Sequence, residues 1–392
     1  MEGRRLKVHS TVLVAALLGL ACAVQPVSTE NSRANVVGEL GEGHIVPPAG
    51  YEWPESARAY WPTKSWRIAP PEQHGLDPER LAIANDIAKE DPFFRSLLVV
   101  RNGFLVFENY YHGGARDQKT EVWSVTKSFT SALVGIAIGE GHISGTGELI
   151  VDLLPNYPGF GQMTVENVLT HETGLVWDEG SQETWIQSSD WIAEALARGF
   201  VNEPGQVLLY SSANSHFLSA LIKETTGVST GAYAEERLFA PLGIEFVSAP
   251  RVDHYTSWQQ LHEPIEGTWR LDNSGMEIGA FGLRLTGLEM AKFGFLYLNR
   301  GVWNGKTVVS EAWVRASTRD HVLRSETIGF GYHWMVVKRS GHIAFDADGW
   351  GGQSISVIPA LDMVIVTKCD AVNPQGRNSY QVLGKILEAV VK

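Results

Sequence analysis

Cysteine is nearly absent: Cys22 and Cys369 are the only two in 392 residues. So few thiols exclude a disulfide-stapled scaffold and a zinc site built on thiolates. Positive charge is scarce relative to negative, with 32 Lys and Arg against 44 Asp and Glu and a formal net charge of −12. Nucleic-acid binding needs concentrated Lys and Arg to displace counterions from phosphates, so that class is excluded. Long hydrophobic runs are missing too. Val12 to Leu20 is near nine residues, well short of the ~20 that span a bilayer as a helix. Metal-ligand spacing is not found either, since His262-Glu263 lacks a second His four residues after the first. Gly139-x-Gly141 follows a helical stretch rather than a strand, so it is no dinucleotide loop. No cofactor and no metal are expected.

What is present is an apolar fraction of 44% with only 19% charged residues, enough for a large core and too apolar for wholesale disorder. The length suits two lobes of ~100–200 residues each. At the N-terminus, Arg4, Arg5 and Lys7 precede the apolar run, and small residues follow it at Ala21-Cys22-Ala23. This is the charged, apolar and cleavage-site order of a secretory signal over 1–23, which predicts export to the periplasm or the medium. Cys22 also resembles the lipid-modified cysteine of bacterial lipoproteins, although Gly19 departs from the aliphatic residue usual three positions earlier. A lipid anchor at Cys22 therefore stands beside free secretion as a second reading. Cleavage after Ala23 leaves Cys369 alone, expected as a buried structural thiol.

Residues 24–70 are rich in Pro, Gly and polar residues, as at Val46-Pro47-Pro48-Ala49-Gly50, and read as an extended arm wrapping the body. Arg80 to Glu90 has helical spacing. Ser96 to Tyr111 reads as two β-branched, apolar runs joined at Asn102-Gly103, a strong hairpin signal. Ser124 to Glu140 is helical with Phe129, Leu133, Ile136 and Ala137 on one stripe. From 142 to about 320 the pattern is mainly helical, clearest over 191–198, 215–225 and 288–298. Strands return at Phe330 to Val337, Gln353 to Ile358 and Met363 to Lys368, before a last helix from about Ser379 to Val391. Tight turns between neighbouring strands imply an antiparallel sheet shared by the two ends of the chain. The fold class is thus α+β: an α/β lobe from 71–141 and 325–392, and an inserted helical lobe over 142–324, with a ligand cleft expected at their seam.

Three stretches carry candidate chemistry. In Ser124-Val125-Thr126-Lys127, the i, i+3 spacing on a helix puts a hydroxyl and an amine on one face. A helix N-terminus also favours developing negative charge at the serine. Alone, this pattern arises by chance about once in a chain of ordinary composition. The second stretch is Tyr210-Ser211-Ser212-Ala213-Asn214, where either serine suits a helix cap and Tyr210 can share a proton with Lys127. The third, Ala347-Asp348-Gly349-Trp350-Gly351-Gly352-Gln353, is a glycine-dense approach to the strand ending at Pro359, as an oxyanion hole on a strand edge needs. Asp190, Trp185 and Trp191 are candidates for lining a pocket.

Together these stretches resemble the serine β-lactamase and penicillin-binding-protein superfamily, in the branch of class C lactamase-like esterases, D-amino-acid peptidases and 6-aminohexanoate-dimer hydrolases. The resemblance runs from about residue 72 to 390. It also rests on Val168 to Leu175 (VLTHETGL), where the resemblance implies that His171 belongs to a structural turn, and on Gly279 to Arg284, Met290 to Gly294 and Trp303 to Lys306. It implies a β-lactamase/transpeptidase-like fold, Ser124 as nucleophile and Lys127 with Tyr210 as the proton-transfer network. It further implies an oxyanion hole from the backbone N–H groups of Ser124 and Trp350, with Gln353 as strand donor in the alternative register. Ser212, Asn214, Asp348 and Gly349 fall where the family contacts substrate.

Two departures bear on substrate. The usual Tyr-x-Asn is here Tyr210-Ser211-Ser212, and the Lys of the family's Lys-Thr-Gly is missing. That Lys helps lactamases hold a substrate carboxylate, so the resemblance implies a serine hydrolase for small esters or short linear amides acting through an acyl-enzyme. The alternative is a penicillin-recognising D,D-peptidase or β-lactamase, or a penicillin-binding sensor without turnover.

Overall fold

The computed structural model describes residues 44–391, apart from 48, 49, 55, 56, 181, 253 and 371–376. The expectations for 1–23, including Cys22, and for the first part of the arm lie outside the described residues. The chain ends share one eight-stranded antiparallel sheet. Its strands are β1 Phe94–Arg101, β2 Phe104–Tyr110, β3 Val322–Ser325, β4 Ile328–Phe330, β5 Met335–Arg339, β6 His342–Gly349, β7 Gln353–Ile358 and β8 Met363–Cys369. Their order is β2-β1-β8-β7-β6-β5-β4-β3, so the N-terminal hairpin joins the C-terminal meander along β1 and β8, where Leu98 faces Val366 and Arg101 faces Met363. The β1–β2 turn puts Asn102 (φ 52°) and Gly103 (φ 83°) both in the left-handed region, the conformation that Asn-Gly accepts most readily.

Both faces of this sheet are covered, which is why β1 is continuously apolar from Leu97 to Val100. Leu98, Val100, Val364 and Val366 enter the larger core beneath α2 (Val125–Gly139), whereas Leu97, Val99 and Ile365 enter a second core. That second core lies under α1 (Pro78–Glu90) and the C-terminal helix, Arg377–Glu388, which pack on each other. Helix α3 (Ser212–Thr226) packs on α2 within the larger core. Helix α4 (Gly287–Leu298), which the sequence pattern places in the helical lobe, packs directly on β8 and β7. The C-terminal helix is α5.

Two strand expectations are corrected. Phe330 to Val337 is not one strand, because Gly331 to Trp334 breaks it into β4 and β5, with His333 at φ 59°. Ala347 to Gly349 is not the approach to the following strand. It ends a strand of its own, β6, and Trp350-Gly351-Gly352 is the hairpin turn into β7. Asp346 and Asp348 interrupt the apolar run of β6, which hid it. Cys369 is buried. Among the described residues, no helix is long and apolar enough to cross a membrane.

Candidate active site

Ser124 stands at the N-cap of α2, and Trp123 before it holds a left-handed φ of 52°. A bulky residue adopts that region only when the surroundings hold it there, and such positions cluster at functional sites. One turn later Lys127 is buried, and its Nζ has three oxygen neighbours. These are Ser124 Oγ at 2.9 Å, Ala280 O at 2.9 Å and Ser212 Oγ at 3.3 Å. Burial pulls the Lys127 pKa down to about 8, against the opposing pull of the Glu179 carboxylate. Lysine at that value carries a substantial neutral fraction near physiological pH.

The start of α3 delivers the second group. Ser211 is the helix cap, its Oγ accepting from Asn214 N–H at 3.4 Å, which leaves Ser212 to face Lys127. The Tyr210 phenol lies close enough to Ser124 for the serine to lower its pKa, and its ring centroid lies 5.1 Å from Lys127 Nζ. Burial, and then the charge of Glu179, push the phenol well above its usual range, so it keeps its proton. Ser124, Lys127 and Tyr210 therefore meet, although 83 positions separate the last two in a chain folded through the helical region.

The third stretch closes the site from the sheet side. A Cβ on Gly349 would lie 2.4 Å from Val122 O and 3.2 Å from Trp123 Cβ, so only glycine lets the end of β6 lie against the residues leading to Ser124. The Trp350 ring stands 5.0 Å from that of Trp123 and is half-exposed. Gln353 is turned into the sheet instead, with its Nε2 donating to Cys369 O at 2.5 Å and its Oε1 accepting from Cys369 N–H at 3.3 Å.

Several expected contacts are not where the motifs placed them. The Asp348 carboxylate does not face the cleft. Side chains alternate along β6, and Asp348 shares its face with Ser354, whose Oγ donates to it at 2.6 Å, while Tyr380 of α5 donates at 2.9 Å. Asn214 is fully buried with its Oδ1 accepting from Thr173 at 3.1 Å, so its carboxamide is withdrawn from substrate. Trp185 and Trp191 are core residues rather than pocket lining, and Asp190 caps the helix Trp191–Ala197 through the amides of Ile192 and Ala193. His171 accepts from Ser211 N–H at 3.3 Å and stacks between Tyr210 and His333, with 4.6 Å between ring centroids on either side. Burial holds both imidazoles far below their usual pKa and hence neutral.

Two participants had no role assigned from the motifs. Ala280 contributes only a carbonyl, and Glu179 comes from an irregular loop with no periodicity to mark it. Its carboxylate accepts from Ser212 N–H and Ser212 Oγ. Among the described residues, no three His, Cys, Asp or Glu side chains converge as metal ligands would.

Residues 95–383 match the family described as Beta-lactamase. Over 325 residues the chain is 23% identical to the 6-aminohexanoate-dimer hydrolase of Paenarthrobacter ureafaciens, covering 74% of this chain and 76% of that one. Among solved structures, a penicillin-binding protein homologue from Caulobacter crescentus superposes with a TM-score of 0.62 at 17% identity, over 80% of this chain and 99% of its own. The D-amino acid amidase of Ochrobactrum anthropi SV3 gives 0.61 at 16% identity, over 80% and 98%. At such identities the structural likeness carries the fold, which is β-lactamase/transpeptidase-like.

Proposed function

Because the chain belongs to the β-lactamase family, we propose that it is a serine hydrolase that cleaves esters or short linear amides through an acyl-enzyme on Ser124. The observation that carries this reading is the 2.9 Å contact of a buried, pKa-lowered Lys127 amine with Ser124 Oγ. Neutral Lys127 takes the Ser124 proton as Oγ attacks the carbonyl carbon. The oxyanion is held by the N–H groups of Ser124 and Trp350, the turn residue nearest Trp123; removing one such donor costs about 3–4 kcal/mol of transition-state stabilisation. Tyr210, still protonated, gives its proton to the leaving group and regains one from the Lys127 ammonium. Water then repeats the sequence and frees the acid.

The substrate class rests on what the third stretch offers. Ala347 replaces the family's lysine, and the Asp348 carboxylate, engaged by Ser354 and Tyr380, supplies no positive charge in its place. A lactam carboxylate thus finds little, whereas a neutral ester or linear amide needs no such partner. The relatives named for aminohexanoate dimers and D-amino acid amides act on linear amides by name. Changing Ser124 to Ala is expected to abolish hydrolysis and labelling by a fluorophosphonate probe, and surviving turnover refutes the assignment. A panel of p-nitrophenyl esters, aminohexanoate oligomers, D-alanyl peptides and nitrocefin ranks the substrates, with nitrocefin expected last. Residues 1–23 are read as an export signal, checked by whether the exported chain begins at residue 24 or at an acylated Cys22.

A further inference from the structure

Lys127, Ser212 and Glu179 are joined by hydrogen bonds whose direction is fixed. The Glu179 carboxylate takes four of them. Trp177 Nε1 (2.5 Å) and Ser212 N–H (2.6 Å) donate to Oε1, while Ser212 Oγ (2.8 Å) and Gln182 Nε2 (2.9 Å) donate to Oε2. An ionised carboxylate accepts only, so the single hydroxyl proton of Ser212 points at Glu179. Ser212 Oγ must then act as acceptor toward Lys127 Nζ, 3.3 Å away, and Ala280 O, at 2.9 Å, is an acceptor as well. Two of the three directions around Nζ are thereby committed to its N–H bonds. In the neutral amine the third direction is the lone pair, and it faces Ser124 Oγ at 2.9 Å.

We propose that Glu179 is a positioning residue: by fixing the polarity of the Ser212 hydrogen bond, it presents the lone pair of Lys127, rather than one of its protons, to the Ser124 hydroxyl. This rests on the reading of Ser124 as nucleophile and Lys127 as base. Glutamine at this position reverses the chain, since its Nε2 would donate to Ser212 Oγ and free the Ser212 proton to turn toward Lys127. Charge adds a second signature. The groups facing Lys127 are Ser124 on its own helix, Tyr210 and Ser212 at the start of α3, Ala280 O, the neutral imidazoles of His171 and His333, and Glu179, whose negative charge favours the ammonium. Removing that charge favours the free amine, so the acid limb of kcat/KM moves to lower pH even as the maximum falls.

The test is a double-mutant cycle on the full chain, with a p-nitrophenyl ester for turnover and fluorophosphonate for acylation alone. Glu179→Gln is expected to lose about tenfold or more in kcat/KM, with the acid limb displaced downward by roughly half a pH unit or more. Glu179→Asp should recover part of the loss. Because Glu179 acts through Ser212, Ser212→Ala should cost a similar factor, and the double variant little more than either single one. Additive losses in the cycle, or an acid limb that stays in place in Glu179→Gln, would overturn the proposal. If Glu179→Gln does not fold, judged by its melting curve, Ser212→Ala decides: undiminished acylation overturns the proposal. An active Ser124→Ala enzyme would instead sink the underlying assignment, so the two failures are distinguishable.

Discussion

A lysine can serve as a general base at neutral pH only when something prevents it from holding its proton, and here burial does so. With the pKa of Lys127 at about 8, the fraction of free amine grows as pH rises through that value. We therefore expect kcat/KM to climb between about pH 7 and 9 with an apparent pKa near 8, while Tyr210, pushed well above its usual range, sets no alkaline fall in that interval. A Lys127→Arg variant keeps the positive charge but cannot give it up, so it should lose activity by several orders of magnitude and show no acid limb. A pH profile of the native enzyme that is flat from about 6 to 9 would contradict the role of Lys127. Helix spacing made the Ser124–Lys127 pair legible in the sequence, since one turn of α2 enforces their meeting whatever the rest of the fold does. Glu179 was not legible, because its place depends on a loop that has no local pattern of its own and is held by Trp177, Gln182 and the start of α3.

Among the elements, the β6–β7 hairpin joins the site to the far face of the sheet. Gly349 touches the residues before Ser124, and the residue before it, Asp348, is tied to α5 through Tyr380. Burial, reinforced by the nearby Asp346 carboxylate, raises the Asp348 pKa to about 6. The folded state thus prefers the protonated acid. Its contribution to stability is complete below the unfolded value near ~4 and is lost as pH rises through about 6. Asp348→Asn keeps an acceptor for Ser354 and a polar partner for Tyr380 without the ionisation. It should match the native protein in stability near pH ~4 and exceed it near pH ~7, by on the order of 2 kcal/mol. Parallel melting curves for the two proteins from about pH 4 to 7 would show that Asp348 does not govern this dependence. The same two acids explain why β6 escaped the sequence pattern: strand recognition follows apolar alternation, and here the outward positions of a buried strand are paired polar groups.

At the scale of the whole molecule, the described part of the N-terminal arm behaves as a strap. Trp66 enters the larger core, Thr63 accepts from Lys292 and Trp303, and Tyr60 donates to Gly103 O in the first hairpin turn. The tightest fastening is Arg58, whose guanidinium makes two 2.6 Å bonds to Asp362 and lies 4.9 Å over the Phe295 ring. Asp362 occupies the turn between β7 and β8 with φ 46°, and its carbonyl accepts from Asn102 N–H, so one residue joins the arm, the first hairpin and the C-terminal meander. Composition disclosed that an arm exists; it could not disclose the fastening, because the partners are 304 positions apart and meet only after β1 and β8 have paired. Arg58 and Asp362 are nearly enclosed, with side-chain exposures of 5% and 13%. Arg58→Ala strands a carboxylate in that setting, at a cost of about 3 kcal/mol, which for a body of this size lowers the melting temperature by roughly 4 °C. Arg58 touches none of Ser124, Lys127, Ser212 or Tyr210, so kcat/KM measured well below the transition should stay within about twofold of native. A melting temperature unchanged in Arg58→Ala would mean that the strap lies on the body without being part of the cooperative unit, and that the α/β and helical regions hold together without it.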